Sequence, residues 1–133
     1  MAVHLLSVTC RDTVGIVHAF SGALLDVGAN ILEQEQFSDT GTGLFFARTR
    51  FETDATADEV AASVGAQAER FDATIRLRPE AEHRRALVAV SQYDHCLRDL
   101  LYRWQAGELP LDIVGVVSNH EDCRPVAERY GLP

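Results

Sequence analysis

The chain has 133 residues, 47% of them hydrophobic, and a formal net charge of −8, which suffices for one ordinary domain or for a small domain plus part of another. That acidity argues against nucleic acid as a partner, since such affinity comes largely from basic side chains on phosphates. All 12 basic residues are arginine, which excludes a phosphate-loop lysine, a Schiff-base lysine and a lysine general base.

Residues 3 to 9 alternate and are β-prone, predicting a first strand. Cys10-Arg11-Asp12-Thr13-Val14-Gly15 is a polar turn. It leads into Ile16, Phe20, Ala23, Leu24 and Val27, which share one helical face. Gly28 is placed to end that helix. Asn30 to Phe37 and Leu44 to Phe51 then read as two strands joined through Ser38-Asp39-Thr40-Gly41-Thr42-Gly43, a hairpin signal. Val60, Ala61, Val64, Ala68 and Phe71 form the apolar stripe of a second helix. Ala73, Ile75 and Leu77 alternate with Thr74, Arg76 and Arg78 as a fourth strand. The order is βαββαβ, a ferredoxin-like α+β arrangement spanning residues 1–79.

Residues 80–85 follow Pro79, are polar and are assigned as a linker. From residue 86 the pattern changes. Leu87 to Val90 and Ile113 to Val117 are near-continuous apolar runs, the signature of parallel strands covered on both faces. Between them Leu97, Leu100, Leu101 and Trp104 mark a helix from about Asp94 to Ala106, closed by Gly107. Asp122 is placed to cap a short last helix carrying Val126, Ala127 and Tyr130. Residues 86–133 therefore read as a β-α-β-α segment of a Rossmann-like α/β domain. A parallel sheet binds its ligand outside the carboxyl ends of several strands, so with two strands the segment is expected to be incomplete as a site.

Two sets of residues carry a family resemblance. Asp12-Thr13-Val14-Gly15-Ile16-Val17 and Gly28-Ala29-Asn30-Ile31 resemble an ACT domain, the amino-acid-sensing βαββαβ module. Ser91 to Trp104, Gly107-Glu108-Leu109-Pro110, Ser118-Asn119-His120 and Glu128-Arg129-Tyr130-Gly131 resemble the start of the formyltransferase-type catalytic domain of formyltetrahydrofolate deformylase. The resemblance implies hydrolysis of 10-formyltetrahydrofolate to formate and tetrahydrofolate, a step of one-carbon metabolism and purine biosynthesis. It implies no cofactor beyond that folate substrate. An Asn, a His and an Asp perform the chemistry in the family, downstream of the residues matched here, so no catalytic residue is assigned within this chain and the polypeptide alone is expected to be inactive. It further implies homodimers or higher oligomers through the ACT domains, with glycine or methionine as effector where two subunits meet. The alternative is an ACT regulatory or dimerisation module with no catalysis.

Candidate sites follow. The turn from Asp12 to Gly15 presents backbone N–H groups at a helix start, which suits a carboxylate. Asp12 would take the ligand ammonium, Gly15 allows close approach, and Asn30 offers donor and acceptor. The competing reading has Asp12 or Thr13 capping the helix and Asn30 satisfying a turn. Ser91, Asp94, His95, Ser118, Asn119 and His120 lie at carboxyl ends of the parallel strands, where folate would enter. Against this, Asp94 reads first as a helix cap rather than as a catalytic group, and His95 and His120 read equally as surface or supporting histidines. The turn Gln92 to His95 lacks the glycines by which relatives that transfer the formyl group to a phosphorylated amine cradle its phosphate, which agrees with water as acceptor. No metal is expected, because His95-Cys96 and His120, Cys123 lack zinc spacings. Nor is RNA binding, although Gly43 to Ala47 faintly resembles an RNA-recognition strand. Free thiols at Cys10, Cys96 and Cys123, and no run of about 18 apolar residues, predict a cytoplasmic protein without membrane attachment.

Overall fold

The computed structural model describes residues 1–133 and divides into two compact units, Met1–Glu80 and Ala81–Pro133. The first holds β1 (Ala2–Arg11), α1 (Ile16–Asp26), β2 (Asn30–Asp39), β3 (Leu44–Thr53), α2 (Ala57–Phe71) and β4 (Thr74–Pro79). Its four strands are antiparallel in the order β2-β3-β1-β4. Alternation sends Leu6, Val8 and Cys10 of β1, with Phe45 and Phe51 of β3, into one core with Ile16, Phe20, Ala23 and Leu24 of α1 and Val60, Val64 and Ala68 of α2. Burying a side chain such as Phe51, which is fully covered, stabilises the unit by roughly 1.5–3 kcal/mol. Ala61, counted in the α2 stripe, is exposed instead. Val60 and Val64 already define the inward line, and Ala61 lies about 100° round the helix from Val60.

The helix ends show how local chemistry sets the boundaries. α2 opens with a capping box, in which Thr56 Oγ1 accepts from the Glu59 backbone N–H at 3.3 Å and Glu59 accepts from the Thr56 N–H at 2.8 Å. Bonding to Thr56 holds the Glu59 carboxyl below its ordinary range. α1 has no such cap. Its first position, Gly15, sits at φ 94° and makes no side-chain capping bond, so neither Asp12 nor Thr13 caps the helix. At the other end Gly28, at φ 66°, reverses the chain so that Ala29 N–H donates to Leu24 C=O at 2.9 Å. The β2–β3 hairpin is pinned by Asp39, whose carboxylate accepts from Thr42 Oγ1 at 2.6 Å and Gly41 N–H at 3.0 Å. These bonds, that to Thr42 foremost, lower its pKa. The tip is tied back to β1, since Asp12 N–H donates to Gly43 C=O at 2.9 Å.

The second unit contains β5 (Arg84–Val90), α3 (His95–Gln105), β6 (Leu111–Ser118) and α4 (Arg124–Arg129). Residues 84 and 85 therefore belong to a strand rather than to the linker. β5 and β6 are parallel, with one register shift between Ala86 and Leu87. One face of the pair packs Val88, Val90 and Val116 against Leu97, Leu101, Cys123, Val126 and Ala127. The other face is bare. Leu87 and Val117 are 67% and 55% exposed, so the expectation of strands covered on both faces does not hold within this unit. Both helices pack on one side, and a side chain at Gly115 would crowd Leu87 and Pro133. Trp104 anchors α3 by donating Nε1–H to Leu111 C=O at 2.9 Å.

Candidate functional site

Two places carry the residues singled out from the sequence. The first is the β1–α1 turn. Asp12, Thr13, Val14 and Gly15 are all exposed, whereas Ile16 is buried. The left-handed Gly15 lets the chain turn abruptly into α1 with no side chain occupying the helix mouth, so the first-turn N–H groups are not claimed by a cap. This is the arrangement a ligand carboxylate needs. Next to the turn, burial raises the Cys10 thiol above its ordinary pKa, and the Asp12 charge adds to it.

Asn30 does not lie at this turn. It pairs in register with Glu52, whereas Arg11, just before the turn, pairs with Leu44. The two places are thus separated by eight residues of β3, roughly 26 Å of extended chain. The Asn30 side-chain amide instead donates to Glu52 Oε1 at 3.1 Å. A single copy therefore does not bring Asp12, Gly15 and Asn30 onto one small ligand. The physical reason is that α1 runs back along the sheet and returns β2 at the opposite end.

The second place is formed by the carboxyl ends of β5 and β6. Ser118 Oγ donates to Ser91 C=O at 3.2 Å and accepts from His120 N–H at 3.0 Å. Cys123, fully buried, points its thiol at the Ser91 and Gln92 carbonyls at 3.5 and 3.8 Å. Ser91, Ser118 and His120 are thereby brought together, with Asn119 in the same turn. Beside them lies a cavity of about 170 Å³ lined by Ser118, His120, Cys123 and Arg124 among others. Arg124 and Glu121 form an ion pair at its rim that lowers the Glu121 pKa and raises that of Arg124.

Asp94 and His95 do not line this cavity. Nor does Asp94 cap α3, as its sequence position suggested, and its carboxylate accepts from Arg98 Nε at 2.7 Å one turn on. An i,i+4 arginine outcompetes the backbone for an exposed carboxylate. Likewise Cys123 stands just before α4 and no side chain caps it, so Asp122 does not cap it. Cys123 is the residue that sequence reasoning missed. It was visible only as a thiol without metal spacing, and its role as a clasp between two strand ends depends on tertiary contact. No group of three His, Cys, Asp or Glu stands close enough to hold a metal ion, and no helix is long and apolar enough to cross a membrane.

No family model matches the chain. It is 38% identical over 132 residues to the formyltetrahydrofolate deformylase of a Corynebacterium species, covering 97% of this chain and 46% of that protein. The crystal structure of formyltetrahydrofolate deformylase from Burkholderia mallei superposes with a TM-score of 0.83 at 36% identity, over 100% of this chain and 48% of that one. An ACT domain protein from Streptococcus pneumoniae matches with a TM-score of 0.53 at 20% identity, over 60% of this chain and 91% of its own, a likeness of fold alone. The chain is homologous to the N-terminal part of formyltetrahydrofolate deformylases and spans about half the length of the relatives it matches. Its βαββαβ sheet is ACT-like, and its parallel β-α-β segment matches the corresponding part of the deformylase structures.

Proposed function

We propose that this chain supplies the N-terminal portion of a cytoplasmic formyltetrahydrofolate deformylase, the enzyme that hydrolyses 10-formyltetrahydrofolate to formate and tetrahydrofolate. The observation that carries this reading is that a deformylase structure aligns with this chain over 100% of its length at 36% identity. In this reading the Ser91, Ser118 and His120 cluster forms the wall of the folate entrance. Ser118 and Cys123 position the Ser91–Gln92 backbone there, Asp94 and Asn119 lie on the same loops, and His95 opens α3 directly after them. The reaction needs a polarised formyl carbonyl, a stabilised oxyanion and an activated water. None of the residues present matches the Asn, His and Asp to which the family resemblance gives those tasks. The chain taken alone is accordingly assigned no turnover. Formate release from 10-formyltetrahydrofolate by this 133-residue polypeptide would refute that assignment.

The first unit serves as the sensing and self-association module. An uncapped helix start beside Asp12 suits an amino acid's carboxylate and ammonium, and glycine and methionine are the effectors proposed. Because Asn30 stands at the far end of the sheet, a site using both places takes Asp12 and Gly15 from one copy and Asn30 from another. Calorimetric titration with either amino acid tests this. Binding lost in both Asp12→Ala and Asn30→Ala supports the shared site, and absence of heat with both ligands overturns it. The reading of the chain as a sensor with no catalytic partner is favoured by the same uncapped turn, and it falls if joining the chain to a deformylase C-terminal half restores turnover.

A further inference from the structure

The sheet of the first unit has a second face that its helices do not cover. Register places the side chains on this face in rows across β2, β3, β1 and β4. One row is Phe37, Phe46, Thr9 and Thr74, and the next is Glu35, Arg48, Ser7 and Arg76. A third is Glu33, Arg50, Leu5 and Arg78. In that third row Arg50 reaches across to Glu80 as a two-pronged pair at 2.7 and 3.1 Å, which lowers the Glu80 pKa. The first two rows are open: Phe37 is 64% and Phe46 38% exposed, and Glu35, Arg48, Ser7 and Arg76 are exposed. A groove along Ser7, Thr9, Glu35, Phe37, Phe46 and Arg48 marks the same area. The charge runs from acidic on β2 to basic on β4.

We propose that this face docks on the same face of a second copy, through a two-fold axis parallel to the strands. Sheets stack about 10 Å apart with their strands roughly aligned. Such an axis lays β2 over β4 and β3 over β1 while keeping each row at its own level. Glu35 of each copy then meets Arg76 of the other, Arg48 lies over Ser7, and the exposed rings of Phe37 and Phe46 cover Thr74 and Thr9. No like charges oppose one another. The alternative axis, across the strands, would lay β2 on β2 and β4 on β4, acid on acid and arginine on arginine, which is unfavourable. An isologous contact needs a self-complementary patch, and the gradient from Glu35 to Arg76 provides one. Three rows across four strands make a patch of roughly 400 Å² per copy, small beside the roughly 800 Å² of standard interfaces. The association is therefore weak and concentration-dependent. It goes beyond the shared effector site proposed above, because an axis along the strands keeps like ends level and does not bring Asp12 to Asn30.

Sedimentation velocity of the full chain over a concentration series tests this. Glu35→Arg and Arg76→Glu should each weaken association at least tenfold, and the double reversal should restore it to within about threefold of the original. Far-UV circular dichroism verifies that each variant is folded. Independently, Glu35→Cys with Arg76→Cys in a Cys96→Ser background should be joined between copies by a bis-maleimide spanning about 8 Å more readily than either single cysteine, because sheets about 10 Å apart hold facing backbones too far apart for a direct disulfide. Within one chain those positions are three strand spacings apart, about 14 Å, beyond the reach of the same reagent. Absence of association, association untouched by the reversals, or no enhanced cross-linking overturns the proposal. The effector site is read separately, by amino-acid titration, and stands or falls on that result.

Discussion

Gly15 carries more of the candidate effector site than any charged residue does. At φ 94° an added Cβ would meet nothing within 4 Å, so the cost of a side chain there is conformational rather than steric with neighbours. Gly15→Ala should therefore lower the stability of the first unit by about 1–2 kcal/mol. Urea unfolding measures this, and an unchanged midpoint would contradict the left-handed assignment. Glu80 gives a pH prediction. Its hydrogen bonds from Arg50 lower the folded-state pKa, so the folded state binds fewer protons than the unfolded state at acid pH. The contribution is complete above the ordinary carboxylate range and is lost as pH falls through the depressed value. Acidification below about pH 4 should destabilise the original chain more steeply than Glu80→Gln, and parallel stability curves for the two would exclude this pair as a contributor.

Among the elements, α2 depends on its start. Thr56→Ala removes the acceptor for the Glu59 N–H and should cost about 1 kcal/mol. Thr56→Ser should keep the original stability to within a few tenths of that, since a serine hydroxyl serves the same box. Thermal melting of the two variants checks the pair of outcomes, and equal midpoints for alanine and serine would show that the box contributes nothing. The hairpin, both helices of the first unit and the β-α-β order of the second were legible because alternation and helical periodicity report directly on which face is buried. Capping was less legible. Thr56 with Glu59 is a complete box, yet Asp12, Asp94 and Asp122, equally suited by type, cap nothing. Asp94 turns to Arg98, and Gly15 and Cys123 take the first positions for which Asp12 and Asp122 were candidates. The separation of Asn30 from the β1–α1 turn was not legible either, since a helix laid along a sheet delivers its two ends to opposite ends of the strands. The clasp between Ser91, Ser118 and Cys123 left no local signal at all.

For the molecule as a whole, the two cores differ in size. The first gathers 12 buried residues from β1, α1, β3 and α2, the second only seven. Smaller units bury a smaller fraction of their surface and are correspondingly marginal. The single tryptophan, Trp104, belongs to the second unit. Its fluorescence should therefore change at lower urea than the far-UV circular dichroism of the whole chain, and coincident transitions would mean that the units unfold as one.

The bond from Asp12 to Gly43 has a reach beyond the turn it steadies. It fastens the helix mouth to the hairpin whose strands hold Phe37 and Phe46, so an occupant of the mouth and a neighbour on the outer sheet lean on the same four-residue bend. Whatever free energy one of them gives the other must flow equally in the opposite direction. Pairing of the copies and capture of the amino acid would then be tied by one factor, the same whether it is read as a change in self-affinity or as a change in the response to the ligand.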